Sequence, residues 1–389
     1  MALNARRPRR STRVHKGLPF AIALAVVLLY PFIDGPVLAP LFGAPTLGIM
    51  IPVLIFTLLA LGLNIVVGYA GLLDLGYAAF FAIGAYTAAF LTSPVSPLPF
   101  RTDFWIALAV SWLVAAVFGV ILGAPTLRLR GDYLAIVTLA FGEIVPRVFL
   151  NLESWTGGSR GMNPIGRPHL LGYELGVTPL EIGGLVLGPQ VPWYYLIVAI
   201  GLLSIWAITR LYDSRLGRAW VAMREDEVAA ASMGINLVHT KLWAFALGAS
   251  FSGFAGAIFA SIFQFIDPFQ FDFSISIMVL AMVILGGLGN IWGVLAGGIV
   301  LGLFDRGISA QVSVWLRGLG TALGIPALAT IDLSRSRLMI FGIALVLLML
   351  LRPEGLFPSA RRRAELHPEE SEVAARGELT YGARLPVER

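Results

Sequence analysis

The sequence predicts an all-α integral membrane protein, a polytopic bundle of about ten transmembrane helices, some of them short or broken. Three observations carry that prediction. Of 389 residues, 57% are hydrophobic and only 13% are charged, whereas a soluble globular protein carries about 25% charged residues. The apolar residues fall into separated runs, most near the roughly 20 residues needed to cross a bilayer. Basic clusters also recur between the runs in a pattern that puts them all on one side, as loops facing the cytoplasm do.

The chain opens on a basic segment, 1–17, with six basic residues (Arg6, Arg7, Arg9, Arg10, Arg13 and Lys16) and no acidic one. It abuts a hydrophobic run, which favours an anchor beside anionic lipid over a nucleic-acid-binding arm. A signal peptide fits this start in part. No small-x-small cleavage site stands out after Phe32, however, and further spans follow, so the first helix is read as retained.

One transmembrane domain covers 18–351, with spans at 18–34, 46–67, 72–92, 104–124, 132–150, 193–211, 241–263, 273–286, 290–304 and 338–351. The eighth and ninth are short and meet at "GGLGN", Gly286 to Asn290. They are either two helices joined by a turn or one interrupted helix. An even number of spans returns the C-terminus to the side of the N-terminus. Arg128, Arg130, the segment 213–240 and Arg361–Arg363 then all face the cytoplasm, and the Gly- and Pro-rich loop 151–192 lies outside. The expected location is the plasma (inner) membrane, multi-pass, with both termini cytoplasmic. The tail 352–389 is dense in charge of both signs without apolar periodicity and is read as disordered.

Several chemistries are not expected. No G-x-x-x-x-G-K-[ST] loop, H-E-x-x-H or G-x-S-x-G occurs, so neither Walker-type nucleotide binding nor these hydrolase sites are assigned. There is no cysteine, which excludes thiolate metal sites, and His15, His169, His239 and His367 all lie outside the apolar runs. No catalytic residue, metal or bound cofactor is assigned, and the chain is read as a non-enzyme.

Charge inside the spans is scarce. Glu143 is the clearest case, with Arg147 four residues on and on the same helix face. It is a gate or substrate contact, or, as the simpler reading, a local ion pair near the outer end of a span bent by Pro146. A second feature lies in "NIVVGYAGLLDLGYAAFFAIGAY". There Asn64, Gly68, Gly71 and Gly76 interrupt an apolar run around Asp74. Broken helices at membrane depth are accepted only where protein shields them or they line a cavity, and transporters build substrate sites from them. The competing reading, slightly favoured by position, is a tight cytoplasmic turn with Asp74 solvated. Gly286, Gly287 and Gly289 form the third irregular point.

The segment Asp213–Leu242 is polar yet patterned. Its charges (Arg215, Arg218, Arg224, Glu225, Asp226, Glu227) cannot lie in lipid. Leu216 to Arg224 can form one short helix. A second can start at Glu225–Glu227, where Asp226 caps, and end at Gly234. A small-faced helix at the membrane surface suits docking into a groove on another protein, although a plain connecting helix fits the same pattern.

The spacing Glu227, Ala230/Ala231, Gly234 resembles the E-A-A-x-x-x-G loop of ABC importer permeases, in a diverged form with one extra residue. "GLNIVVGYAGLLDLGYAAFFAIGAYTAA", "LRLRGDYLAIVTLAFGEI", "GRAWVAMREDEVAAASMGINLVHTKLWAFALGASFSGFAGAIFA" and "MVILGGLGNIWGVLAGG" are similar to the M-type permease of branched-chain amino acid ABC importers. "TGGSRGM", Thr156 to Met162, resembles that family's TGG-x-x-G signature. The resemblance covers roughly 45–355 and leaves out the basic start and the charged tail.

It implies a pore shared with a second homologous permease, two cytoplasmic ABC ATPases carrying the ATP and Mg, an extracytoplasmic amino-acid-binding protein, and surrounding lipid, with no nucleic acid. Arg224, Glu225, Asp226, Glu227, Ala230, Ala231 and Gly234 would then form the ATPase-coupling loop. Asn64, Gly68, Gly71, Asp74, Gly76, Glu143, Gly286, Gly287 and Gly289 would belong to the translocation path or gate. The implied substrate is a branched-chain or other hydrophobic amino acid, with urea or a short amide as the alternative. A stand-alone ion-coupled transporter is a weaker reading, because Glu143 alone offers a coupling-ion group. A membrane enzyme would need a polar cluster that the histidine distribution argues against.

Overall fold

The computed structural model describes residues 18–34, 46–126, 129, 131–170, 173–177, 180–182, 185–323, 336–351 and 355–357. The basic start, Arg128, Arg130, Arg361–Arg363 and most of the charged tail lie outside the described residues. Helices dominate: α1 (Leu18–Ile33), α2 (Leu47–Leu63), α3 (Tyr77–Thr92), α4 (Phe104–Thr126), α5 (Asp132–Asn151), α6 (Val191–Tyr212), α7 (Arg215–Glu225), α8 (Glu227–Ser232), α9 (Leu237–Phe263), α10 (Phe273–Gly286), α11 (Ile291–Leu303), α12 (Ser309–Leu323) and α13 (Arg337–Leu351). Among the described residues, seven helical runs are long and apolar enough to cross a membrane, and α3 is apolar but shorter. The protein is therefore an all-α polytopic membrane protein in its main architecture.

Two departures from the sequence reading, at the start of 72–92 and after 304, have physical causes, one open alternative at Gly286–Asn290 is decided, and the 151–192 loop gains detail. The span expected at 72–92 begins only at Tyr77, because 70–76 is irregular. The junction at Gly286–Asn290 is a turn between two helices, since α10 and α11 pack backbone to backbone where Gly286 meets Gly293. The 151–192 loop contains short strands. Its His169–Leu170 pairs antiparallel with Tyr173–Glu174, and Leu180–Ile182 with Leu185–Leu187. Finally, α11 does not stop at 304. It passes through a π-helical segment, Phe304–Ile308, into α12, which was not expected.

The centre is built from α2, α3, α4 and α9. The buried positions of α4 are Phe104, Ala107, Leu108, Ser111, Ala115, Gly119, Leu122, Gly123 and Thr126, a stripe at helical spacing and largely of small residues. In lipid, helices associate through such close approach rather than through hydrophobic burial. The backbone of Gly84 on α3 lies against Gly253 on α9, Gly253 also lies against the Ser111 carbonyl on α4, and Gly256 lies against the α3 backbone at Phe81–Ala85.

The helices run between two ends. One carries α7, α8, the 70–76 irregularity and the 287–290 turn. The other carries the two small hairpins and the 264–272 segment, and there an antiparallel bridge joins Met162, ahead of the hairpins, to Ile266.

Candidate functional site

The 213–240 element is folded and pinned to the bundle. Ser214 Oγ accepts from the Gly217 N–H at 3.3 Å and caps α7. Trp220 is fully buried and its Nε1–H donates to the Thr240 carbonyl at 2.8 Å. Asp226 Oδ1 accepts from Val228 N–H at 2.7 Å and Ala229 N–H at 3.0 Å, which caps α8. Each such cap stabilises a helix start by about 1 kcal/mol. Gly234 follows with φ +84°, the left-handed conformation that ends a helix at least strain in glycine. Its neighbour Ile235 donates back to the Ala230 carbonyl at 3.1 Å.

The faces of this element differ. Ala230 is buried, while Glu225, Asp226, Ala231 and Gly234 are exposed. Glu227 is turned inward, where its Oε1 meets Lys241 Nζ at 2.7 Å and the Lys241 side chain is only 7% exposed. Sequence reasoning missed the apolar part of the outer face. Val228 and Met233 are 68% and 84% exposed. Their signal was present, as two large apolar residues on and just after a short helix in a polar segment.

Arg224 joins this element to two of the glycine-marked points. Its Nη1 donates to the Gly68 carbonyl at 2.5 Å, and its aliphatic stem lies over Gly71, where a Cβ would collide with it. The Gly68 carbonyl accepts from a side chain because the backbone there is a π-helix over Asn64–Tyr69, so that Leu72 N–H bonds to Val66 rather than to Gly68. Asn64 Oδ1 accepts from the Gly289 N–H at 2.9 Å. Asn64, Gly68, Gly71, Arg224 and Gly289 are thus one cluster, with Gly287 in the same turn at φ +113°.

Asp74 lies beside that cluster, and the solvated turn read for it is corrected: the residue is fully buried. Its Oδ1 accepts from the Gly76 N–H at 2.9 Å, and its Oδ2 has no hydrogen-bond partner among the described residues. The adjoining start of α3 sits inside the protein. Leu75 N–H donates to Thr138 Oγ1 at 3.0 Å, Ala78 N–H donates to Ser276 Oγ at 3.0 Å, and the Tyr77 hydroxyl donates to the Gly248 carbonyl at 2.8 Å. Side chains from α5 and α10 therefore serve the free N–H groups of a helix end that water does not reach. Gly76 is required there because its Cα abuts the Thr138 carbonyl region of α5.

Glu143 is not part of this cluster. It pairs with Arg147 at 3.5 Å on an outward face of α5, with both side chains well exposed. The structure instead reveals a pair that sequence reasoning overlooked. Asp305, 2% exposed at its side chain, meets Arg306 Nε at 3.2 Å inside the π segment, at the hairpin end. Arg306 also lies over the Phe56 ring at 5.0 Å. "FDRG" follows directly on an apolar run and reads as the polar end of a span. The helix instead continues past it into α12, and Phe56 of α2 packs against it.

The described residues thus form a polytopic helical bundle whose capped surface element is bonded to a break in a spanning helix. The sequence profile of the family described as "Branched-chain amino acid transport system / permease component" matches residues 46–317, and the chain belongs to that family. It is 38% identical over 371 residues to the high-affinity branched-chain amino acid transport system permease protein LivM of Escherichia coli K12, covering 92% of this chain and 78% of that protein. It is 40% identical to LivM of Salmonella typhimurium LT2, covering 80% and 70%. It is also 25% identical to the permease protein LivH of Escherichia coli K12, covering 71% and 87%. No solved structure gives a match.

Proposed function

We propose that this chain is the M-type permease subunit of an ABC importer that moves branched-chain amino acids into the cell. ATP hydrolysis on two partner ATPases docked at 213–240 drives it. The observation that carries this reading is the family match over 46–317, together with similarity to two relatives named for branched-chain amino acid transport. Those names favour amino acids over urea or short amides. Similarity to both a LivM and a LivH supports a pore built from two homologous permeases. An extracytoplasmic binding protein completes the assembly by analogy with importers of this class.

The reading extends to topology. On this reading α1, α3 and α13 are passes besides the seven long runs, giving ten. α1 ends beside α6 at the hairpin end, where Tyr194 donates to the Val27 carbonyl. The chain after α13 returns to the 287–290 turn, where Asn290 Nδ2 donates to the Phe357 carbonyl. Both outermost helices thus have their outer ends on the α7–α8 side, which we place in the cytoplasm.

On this reading Val228 and Met233 are the apolar contact offered to the ATPase. Arg224 passes displacement of α7–α8 to the 64–71 and 287–290 segments. Reconstitution tests it: the permease pair with its ATPases and binding protein should take up leucine only with ATP. Leucine uptake that needs an ion gradient and no ATP would overturn it.

A further inference from the structure

At the hairpin end a cavity of about 430 Å³ opens between α2, α9, α10, the π segment and α13. That volume suits a ligand as small as an amino acid. Its walls are of two kinds. Phe56, Phe259, Phe263, Met278 and Phe341 supply an apolar surface. Asp272, Gln270 and the Asp305–Arg306 pair supply the polar groups.

The polar groups are arranged, not scattered. Arg306 is held from behind by Asp305 and from the side by the Phe56 ring, and its side chain remains 37% exposed. An ion pair and an aromatic face together fix the plane of a guanidinium, the group best shaped to receive a carboxylate. Gln270 Oε1 is buried and has no hydrogen-bond partner among the described residues. Asp272 adds a carboxylate at the start of α10, where its Oδ2 accepts from Ser274 Oγ at 2.8 Å.

We infer that this cleft receives the substrate as a zwitterion: Arg306 takes the α-carboxylate, Asp272 takes the α-ammonium, and the phenylalanine and methionine wall takes the apolar side chain. Asp305 is a positioning residue for Arg306. This inference rests on the importer reading and deepens it, by placing in the permease itself a station that recognises the amino acid.

The test uses the complete importer in proteoliposomes, with L-leucine delivered by saturating binding protein. Uptake and binding-protein-stimulated ATP hydrolysis are read in parallel. Arg306→Gln should lower leucine uptake about tenfold or more, the scale of a lost charged hydrogen bond, with stimulated hydrolysis kept. Arg306→Lys should recover part of it. Met278→Trp, which fills the cavity without touching the charges, should also lower uptake while hydrolysis continues. Wild-type uptake in Arg306→Gln and Met278→Trp would overturn the site. So would parallel loss of uptake and hydrolysis in both, since that marks a structural role. If the wild-type importer carries no hydrophobic amino acid, the functional reading fails first and is identified by that control alone.

Discussion

Arg224 Nη1 and the Gly68 carbonyl, 156 residues apart in the chain, are joined by a 2.5 Å hydrogen bond. The bond links the surface element α7–α8 to the π-helical end of α2. Arg224→Ala should therefore uncouple α7–α8 from the spanning helices. Leucine uptake is expected to fall about tenfold or more, from loss of a charge-assisted hydrogen bond worth about 1.5–3 kcal/mol. ATPase binding should remain, because Val228 and Met233 are untouched. Co-purification alongside uptake checks this, and wild-type uptake would remove Arg224 from the coupling route.

Glu227 serves the permease itself through Lys241. Removing the carboxylate leaves an ammonium almost without water. Glu227→Gln is expected to destabilise by about 2–3 kcal/mol, below the ~3–5 kcal/mol of a fully buried pair because Glu227 is itself 25% exposed. Pairing it with Lys241→Met should restore most of the loss. Thermal unfolding of the purified subunit for both singles and the double gives the coupling energy.

Gly76 and Gly234 separate two uses of glycine. Gly76→Val drives a side chain into the α5 backbone and should abolish folded, detergent-soluble protein, since overpacking against backbone has no rotamer escape. A Cβ on Gly234 meets nothing within 4 Å. Gly234→Ala should cost only about 1–2 kcal/mol for its positive φ and still express. Monodisperse yield on size-exclusion chromatography distinguishes them.

Asp74→Asn keeps an acceptor for the Gly76 N–H and removes an enclosed carboxylate. Protein yield and melting temperature should be kept or raised. Asp74→Leu, which also deletes the acceptor, should lower stability by about 1–2 kcal/mol. A drop in uptake for Asp74→Asn at normal yield would show that the carboxylate serves transport.

Much of the architecture was legible because membrane helices announce themselves by length and by scarcity of charge. Most spans were placed to within a few residues. The caps at Asp226 and Gly234 were equally local, set by residues that touch only their own turn. What escaped depends on distant chain. Asp74 is buried because Thr138 and Ser276 arrive from α5 and α10 to serve the helix start beside it. Asp305 and Arg306 looked like the end of a span because a π turn leaves no pattern in sequence that separates it from termination. Arg224 was legible as part of a coupling loop, but its bond to Gly68 depends on a carbonyl that only the π-helical backbone releases.

The contacts among Gly84, Gly253, Gly256 and Ser111 have a mechanical consequence. Along that seam α3, α4 and α9 touch through main-chain atoms, with no side chain between them whose rotamer could flip. On the importer reading proposed above, a seam of this kind favours these three helices moving as one block. The compliance of the transporter then resides where long side chains bridge elements: at Arg224 on one face and at Arg306 on the other. Cross-linking α3 to α9 should leave turnover intact, whereas tethering α7 to the end of α2 should halt it.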